Sequence, residues 1–340
     1  MENYDFPLKD YYEWRDERYI RKNNEDFITI YSGINKNNKS DFIYVQVFNF
    51  DSINLKVDIL KQTIKQLIIL VSLKNEAYFP NVKFSLSKDH KYLCMYNKEK
   101  YIPLNYLINS SKNSYDKKLI KWVIYQISFG LYFLHSNNII HHDIKTSNIY
   151  INQEGGIIIN GFESVIFKHE KSFSFSLSYS SPELLINLQA NEKSDLWGLG
   201  IIMLELFCKK HLILNNDKLN DRNECIKNML TFFGRNEEYS NEELKKILNG
   251  DKNIEFKLKK EILDKIEDKD AIDLINNLLV FNPNKRYTSK MVLESNYLQE
   301  YKGIDSLEIK KLEYPLDYEK ISKDKIDQKT FIEIIKNIIK

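Results

Sequence analysis

Two stretches near the start of the chain, Phe27-Ile28-Thr29-Ile30-Tyr31 and Phe42-Ile43-Tyr44-Val45-Gln46-Val47-Phe48, are rich in β-branched and aromatic residues. Between them lies the Asn- and Lys-rich segment Asn35–Ser40. This pattern predicts two strands joined by a turn. From residue 56 to 74 the spacing changes: Leu60, Ile64, Leu67, Ile68 and Val71 recur at the period of a helix, which Phe79-Pro80-Asn81 then breaks. Two more short strands fit Val82–Leu86 and Tyr92–Tyr96. Ahead of all these, the polar and aromatic residues 1–24 read as an extension with a helix through Tyr11–Arg21.

Past residue 98 the pattern is mostly helical. Leu119, Val123, Ile127, Leu131 and Leu134 mark a long amphipathic helix that Ser114 or Asp116 would cap. A short strand pair brackets Gly155-Gly156, and Leu196–Cys208 is apolar nearly all round, as a helix inside a large domain would be. Further amphipathic helices fill about 220–300. Strands first and helices afterwards predict an α+β chain in two lobes, not a doubly wound sheet. The divisions fall at 1–24 (extension), 25–98 (small β-rich lobe with one main helix), 99–300 (large helical lobe) and 301–340 (C-terminal extension).

Composition narrows the function classes. With 340 residues and 43% hydrophobic content, the chain buries a sizeable core and is not intrinsically disordered. Its net charge of +2 gives no global field toward nucleic acid. No apolar run reaches the roughly 18–20 residues of a membrane span, and mean hydropathy is −0.46. Cys94, Cys208 and Cys225 are widely spaced, which predicts reduced thiols in a cytoplasmic or nuclear protein and rules out a C-x-x-C metal site.

The chemistry concentrates in His141-His142-Asp143-Ile144-Lys145-Thr146-Ser147-Asn148. An Asp there can accept a hydroxyl proton, a Lys two residues on can neutralise phosphate, and an Asn five on can ligate Mg²⁺. This run resembles the catalytic loop H-R-D-x-K-x-x-N of eukaryotic protein kinases of the serine/threonine type. Later landmarks agree in order and spacing over roughly 25–300. Ser181-Pro182-Glu183 resembles A-P-E, Asp195-Leu196-Trp197-Gly198-Leu199-Gly200 resembles D-x-W-S-x-G, and Asn282-Pro283-Asn284-Lys285-Arg286 resembles the late x-P-x-x-R segment. The resemblance implies a two-lobed kinase-like fold and a Glu183–Arg286 ion pair. It also implies a hydrophobic spine of Leu70, Phe84, His141 and Phe162, and an Asp195 that bonds the catalytic-loop backbone.

The departures decide the expected function. Gly161-Phe162-Glu163 falls on D-F-G, so Gly161 replaces the metal-binding Asp. The strand position resembling V-A-I-K ends in Gln46, its partner Glu on the helix is Gln66, and the glycine loop is reduced to Ser32-Gly33-Ile34-Asn35. The Arg of H-R-D is His142. Met95 takes the gatekeeper position and Tyr96–Lys98, with Asn97, the hinge. Losing one preorganised electrostatic stabiliser costs about 3–4 kcal/mol of barrier, and four elements change together here. Asp143, Lys145 and Asn148 are then retained to keep the loop's hydrogen bonds, while two amides at 46 and 66 can bond across the gap an ion pair would span. A register error of a residue or two would instead bring in Lys61, Lys65 or Glu76.

The leading expectation is a pseudokinase that acts as scaffold or allosteric regulator through protein partners, such as an active kinase or its substrate. It requires no cofactor, and any ATP and magnesium bind weakly. The alternatives are an atypical active kinase with Glu163 as metal ligand, and an ATP-binding domain without turnover. His135 and His142 read as packing or surface residues. The Ser- and Phe-rich stretch Glu163–Ser180 suggests a docking surface or regulated loop, and equally a solvated one with anchored rings. Near the end, Phe331, Ile334, Ile335 and Ile338 form an amphipathic helix that packs back on the domain, docks a partner or lies on a membrane surface.

Overall fold

The polar start of the chain joins a sheet. In the computed structural model a 3-10 turn at Lys9–Tyr11 leads into strand β1 (Tyr12–Asp16), where a helix through Tyr11–Arg21 was expected. The alternation of Tyr12 and Trp14 explains the difference: Tyr12 is buried, and the Trp14 indole N–H donates to the Lys9 carbonyl at 2.7 Å. The structure describes residues 8–16, 28–38, 42–50, 57–97, 101–110, 116–168, 170, 179–187, 191–210, 212, 225–226, 229, 232–233, 262–323 and 326–339. Two units emerge, one of Met1–Tyr101 with Leu312–Lys340, the other of Ile102–Lys311.

In the first unit β1 is followed by β2 (Ile28–Asn35), β3 (Phe42–Asn49), helix α1 (Val57–Ser72), β4 (Lys83–Leu86) and β5 (Tyr92–Asn97). The strands form one antiparallel sheet in the order β1-β2-β3-β5-β4. Tyr12, Tyr31, Ile43, Val45, Val47 and Cys94 make one buried cluster of the sheet. The opposite side of β3 carries Gln46 and Phe48, also buried, so this strand is covered on both faces.

The second unit opens with β6 (Ile102–Pro103) and α2 (Leu104–Ser110). Helix α3 (Lys117–Ser136) is capped by Asp116, whose side chain accepts from the Lys118 N–H at 3.0 Å. Then come β7 (Ile139–Ile140), β8 (Ile149–Ile151), β9 (Ile157–Ile159) and β10 (Ile166–Phe167), with β6-β8-β9 and β7-β10 as small sheets. Helix α4 (Pro182–Asn187) precedes α5 (Glu192–Cys208), which starts in a capping box between Asn191 and Ser194. Ile202, Met203 and Leu204 on α5 are all fully buried, as its apolar circumference predicts. Within the 220–300 stretch read as helical, α6 (Lys269–Leu278), α7 (Ser289–Leu293) and a 3-10 turn at Asn296–Tyr301 are seen, while most of 213–261 lies outside the described residues.

The last segment returns to the first unit as α8 (Tyr318–Lys323) and α9 (Gln328–Ile338). Asp327 caps α9 by accepting from the Thr330 N–H at 2.8 Å. Its apolar face is buried: Phe331 and Ile335 are fully enclosed and Ile338 nearly so.

Candidate functional site

The loop after β7 is organised by one buried carboxylate on α5. Asp195 accepts from the backbone N–H of His141 at 2.9 Å and of His142 at 2.8 Å, and its Oδ2 also lies 2.9 Å from His135 Nε2. Burial pushes the Asp195 carboxyl up, but the His135 contact, the attraction of His135 and His141 and the His142 N–H outweigh it and leave it below the ordinary value. His135 thus has a defined role that its position near the end of α3 did not announce; its other ring nitrogen is 3.2 Å from Ser289 Oγ. Gly198 lets the loop approach, since a Cβ there would sit 2.5 Å from the Ile144 carbonyl oxygen.

His141 is fully buried, with Nε2 at 2.9 Å from the Asn160 carbonyl and its ring edge-on to Phe162 at 4.9 Å. Leu70 on α1 is buried and Phe84 on β4 half-buried in the first unit. His142 stands at φ +68° and is also buried, so it is no surface residue. Burial holds both imidazoles below their ordinary value.

Around Asp143 the second unit brings three of the expected residues together. Asp143 Oδ2 is 2.8 Å from Lys145 Nζ and accepts from Asn148 Nδ2 at 2.8 Å, and the same amide donates to the Asp143 carbonyl. Asp143 Oδ1 is buried without a hydrogen-bond partner, and Asp143 is among the residues that line a cavity of about 20 Å³, room for one water, with Tyr179, Ser180 and Ser181. Gly161 adjoins this cluster with φ +87°, and a Cβ on it would fall 2.4 Å from the Asn148 side chain. The amide of Asn148 therefore fills the space that a side chain at 161 would need. Glu163 lies in the 3-10 turn Phe162–Ser164.

The expected Glu183–Arg286 pair is present and bidentate, with Nη1–Oε1 at 2.8 Å and Nη2–Oε2 at 2.9 Å. The guanidinium also donates to the carbonyls of Lys193 and Val280 and lies 5.2 Å from the Trp197 ring centroid. Burial raises the Glu183 carboxyl, but Arg286 more than offsets that and keeps it below the ordinary value. One network was missed: the Tyr179 hydroxyl donates to Glu205 at 2.8 Å, and the Thr146 hydroxyl sits 2.8 Å from Tyr179 and 3.2 Å from Glu205. Burial and the Glu205 charge keep Tyr179 protonated as a donor. The signal was a carboxylate within the otherwise apolar stretch Leu196–Cys208.

The first unit corrects two expectations. Gly33 is no loop glycine: it sits inside β2, paired with Trp14 on one side and Ile43 on the other. A phosphate-cradling loop needs backbone N–H groups free of a ladder. The link between β1 and β2 is residues 17–27, outside the described residues, and its sequence holds no glycine. Gln46 lies in β3 opposite Met95, and Gln66 is buried in α1, but no hydrogen bond joins the two amides. Lys61 and Lys65 turn to the tail: Lys61 Nζ donates to the Ser322 carbonyl, and Lys65 lies over the Tyr318 ring. Asn97 ends β5 and Glu76 sits in the turn after α1. Lys98 and residues 171–178 of the Ser- and Phe-rich stretch lie outside the described residues.

A five-stranded antiparallel sheet in one unit and a mainly helical second unit built around an Asp–Lys–Asn loop define a eukaryotic protein kinase fold. The family model described as protein kinase domain matches residues 26–298, and the chain belongs to that family. It is similar to the mitogen-activated protein kinase sty1 of Schizosaccharomyces pombe, 31% identical over 207 residues that cover 55% of this chain and 54% of that protein. It is 27% identical over 205 residues to the mitogen-activated protein kinase HOG1 of Cochliobolus heterostrophus, covering 55% and 53%. To the mitogen-activated protein kinase 14 of Xenopus laevis it is 28% identical over 212 residues, covering 59% and 56%. The matches thus span about half the length of these relatives.

Proposed function

We propose that this kinase-family chain does not transfer phosphate and instead works through contacts with other proteins, as a scaffold or allosteric regulator. The observation that carries the reading is the pairing of Gly161 with Asn148. A divalent cation of the magnesium type needs oxygen ligands. Gly161 offers no side chain, the Asn148 Nδ2 donates to Asp143 and leaves only the neutral Oδ1 of that residue as a ligand, and Asp143 Oδ2 is taken up by Lys145 and Asn148. These residues do not fit a magnesium-bound triphosphate, and no step is derived through one. Asp143, Lys145 and Asn148 have a sufficient reason to persist in the bonds they make to one another.

Neutral Gln46 and Gln66, where the resemblance implies an ion pair, support the same reading. The likeness to proteins named as mitogen-activated protein kinases supports a partner of the class expected from the sequence, an active kinase or its substrate. The test is transfer from labelled ATP, with magnesium or manganese, to the chain itself and to a generic protein substrate. Incorporation is expected to equal that of Asp143→Ala. Robust transfer that disappears in Asp143→Ala overturns the proposal.

A further inference from the structure

Asp143 Oδ1 and Ser181 Oγ are both buried in the second unit without a hydrogen-bond partner. An unmatched buried oxygen is costly, a charged one more so, and folded proteins match such groups with water or an ion. The two residues line the same cavity of about 20 Å³, together with His142, Ile144, Tyr179 and Ser194. That volume holds one water. The Asp143 side chain is only 3% exposed, and its other oxygen is held by Lys145 and Asn148, each at 2.8 Å. Nor does Ser181 find its partner in the Glu183 carboxylate two residues on, which is occupied by both terminal nitrogens of Arg286 and by the Ser194 hydroxyl at 3.0 Å.

We propose that this cavity is a binding site for a single water, which donates to Asp143 Oδ1 and accepts from the Ser181 hydroxyl. A site for water needs two to four polar partners, and these two oxygens meet that need. A cation suits the cavity less well. Lys145 already balances the Asp143 charge, and Asp195, which also lines the cavity, is held by His135 and two backbone N–H groups. A hard cation asks for about six oxygen ligands, and among the described residues no cluster of side chains is set up to hold a metal. Ser181 stands where the family resemblance implies an alanine, so the hydroxyl that completes the site is this chain's own. It is a positioning residue that acts on the carboxylate through the water. With Oδ2 held by Lys145 and Asn148 and Oδ1 by the water, neither oxygen is left to accept a proton from an incoming hydroxyl. That is a second obstacle to transfer, separate from the missing metal ligand. The water site goes beyond the proposed function and does not depend on it, because its test reads the water and no activity.

The experiment is a high-resolution crystal structure of the full chain, grown in a rubidium salt. Beside it, NMR magnetisation transfer from long-lived water is measured at the backbone N–H groups around the cavity. The expected result is one density peak without anomalous signal, within about 2.7–3.2 Å of both oxygens, and transfer to those N–H groups in solution. Ser181→Ala removes one anchor and keeps the backbone; it should lose both the peak and the transfer. Ser181→Thr keeps the hydroxyl but adds a methyl group to a space of one water, and it too should expel the guest. Three results overturn the site: an anomalous peak, which makes the guest a cation; a cavity without density in the unaltered chain; or a water that stays fully occupied in Ser181→Ala.

Discussion

In the second unit a complete ion pair is buried, Glu183 with Arg286, and the guanidinium also donates to a backbone carbonyl beside it. In the first unit the two positions that resemble an ion pair hold amides, Gln46 and Gln66, both buried. Desolvation is costly in each place, so burial alone does not explain the difference. What differs is the counter-ion. Arg286 is held by a carboxylate, by three backbone carbonyls and by the face of Trp197, all within the same unit. A lysine at 46 would need a glutamate at 66 and, by the family resemblance, a nucleotide phosphate. Charge persists here where the chain itself supplies the partner.

The comparison breaks most visibly at Arg286. Arg286→Ala leaves Glu183 buried without its cation and is expected to cost about 3–5 kcal/mol, read by denaturant unfolding followed through Trp fluorescence. A loss below about 1 kcal/mol would place the pair among ornamental contacts. Next is Gly161→Asp, which restores the acid but asks for φ +87° and for the space of Asn148. It should destabilise by about 1–3 kcal/mol and leave phosphate transfer at the Asp143→Ala level; a stable, active variant would mean that Asn148 gives way to a side chain at 161, with the missing acid as what holds the unaltered chain inactive.

Smaller effects sharpen the picture. In a double-mutant cycle, Lys145→Met and Asp143→Asn should be coupled by about 1 kcal/mol, because each removes the charge that compensates the other. Additive losses would mean that the 2.8 Å contact contributes nothing. The smallest effect is in pH. His141 and His142 are held below the usual imidazole value of 6.5 by burial, so at pH 7 and above both folded and unfolded chains carry them neutral and stability is full. As pH falls below about 6.5 the unfolded chain takes up protons first and stability drops until the depressed folded values are reached. Glu183 and Asp195, held below their ordinary values, extend the loss at still lower pH. Melting temperature from pH 8 to 5 should therefore fall, and fall less in His142→Asn, since Asn tolerates the positive φ. An unchanged slope would remove His142 from the account.

The second unit was largely legible in the sequence because its elements announce themselves locally. The 3.6-residue spacing of α3, the apolar circumference of α5 and the run His141–Asn148 each lie within a few turns of chain. The Glu183–Arg286 pair spans 103 residues and was reached only through the family resemblance. The first unit was harder. Tyr12 and Trp14 alternate for too few residues to outweigh a helical reading, and Gly33 looks the same in a loop as in a strand until the register with Trp14 and Ile43 is known. The Tyr179–Thr146–Glu205 network joins residues from three elements, and no periodicity points to it. The amphipathic pattern of α9 showed that one face is covered but not what covers it.

That covering has a consequence for how the molecule is made. The first unit is assembled from residues 1–101 and 312–340, so more than two hundred residues separate the partners Phe50 and Phe331. During synthesis the early strands and α1 leave the ribosome long before α9 exists to close over them. Loop closure on that scale is slow, and transiently open apolar surface invites misassembly. The small unit, first to be synthesised, is for that reason the last to be finished.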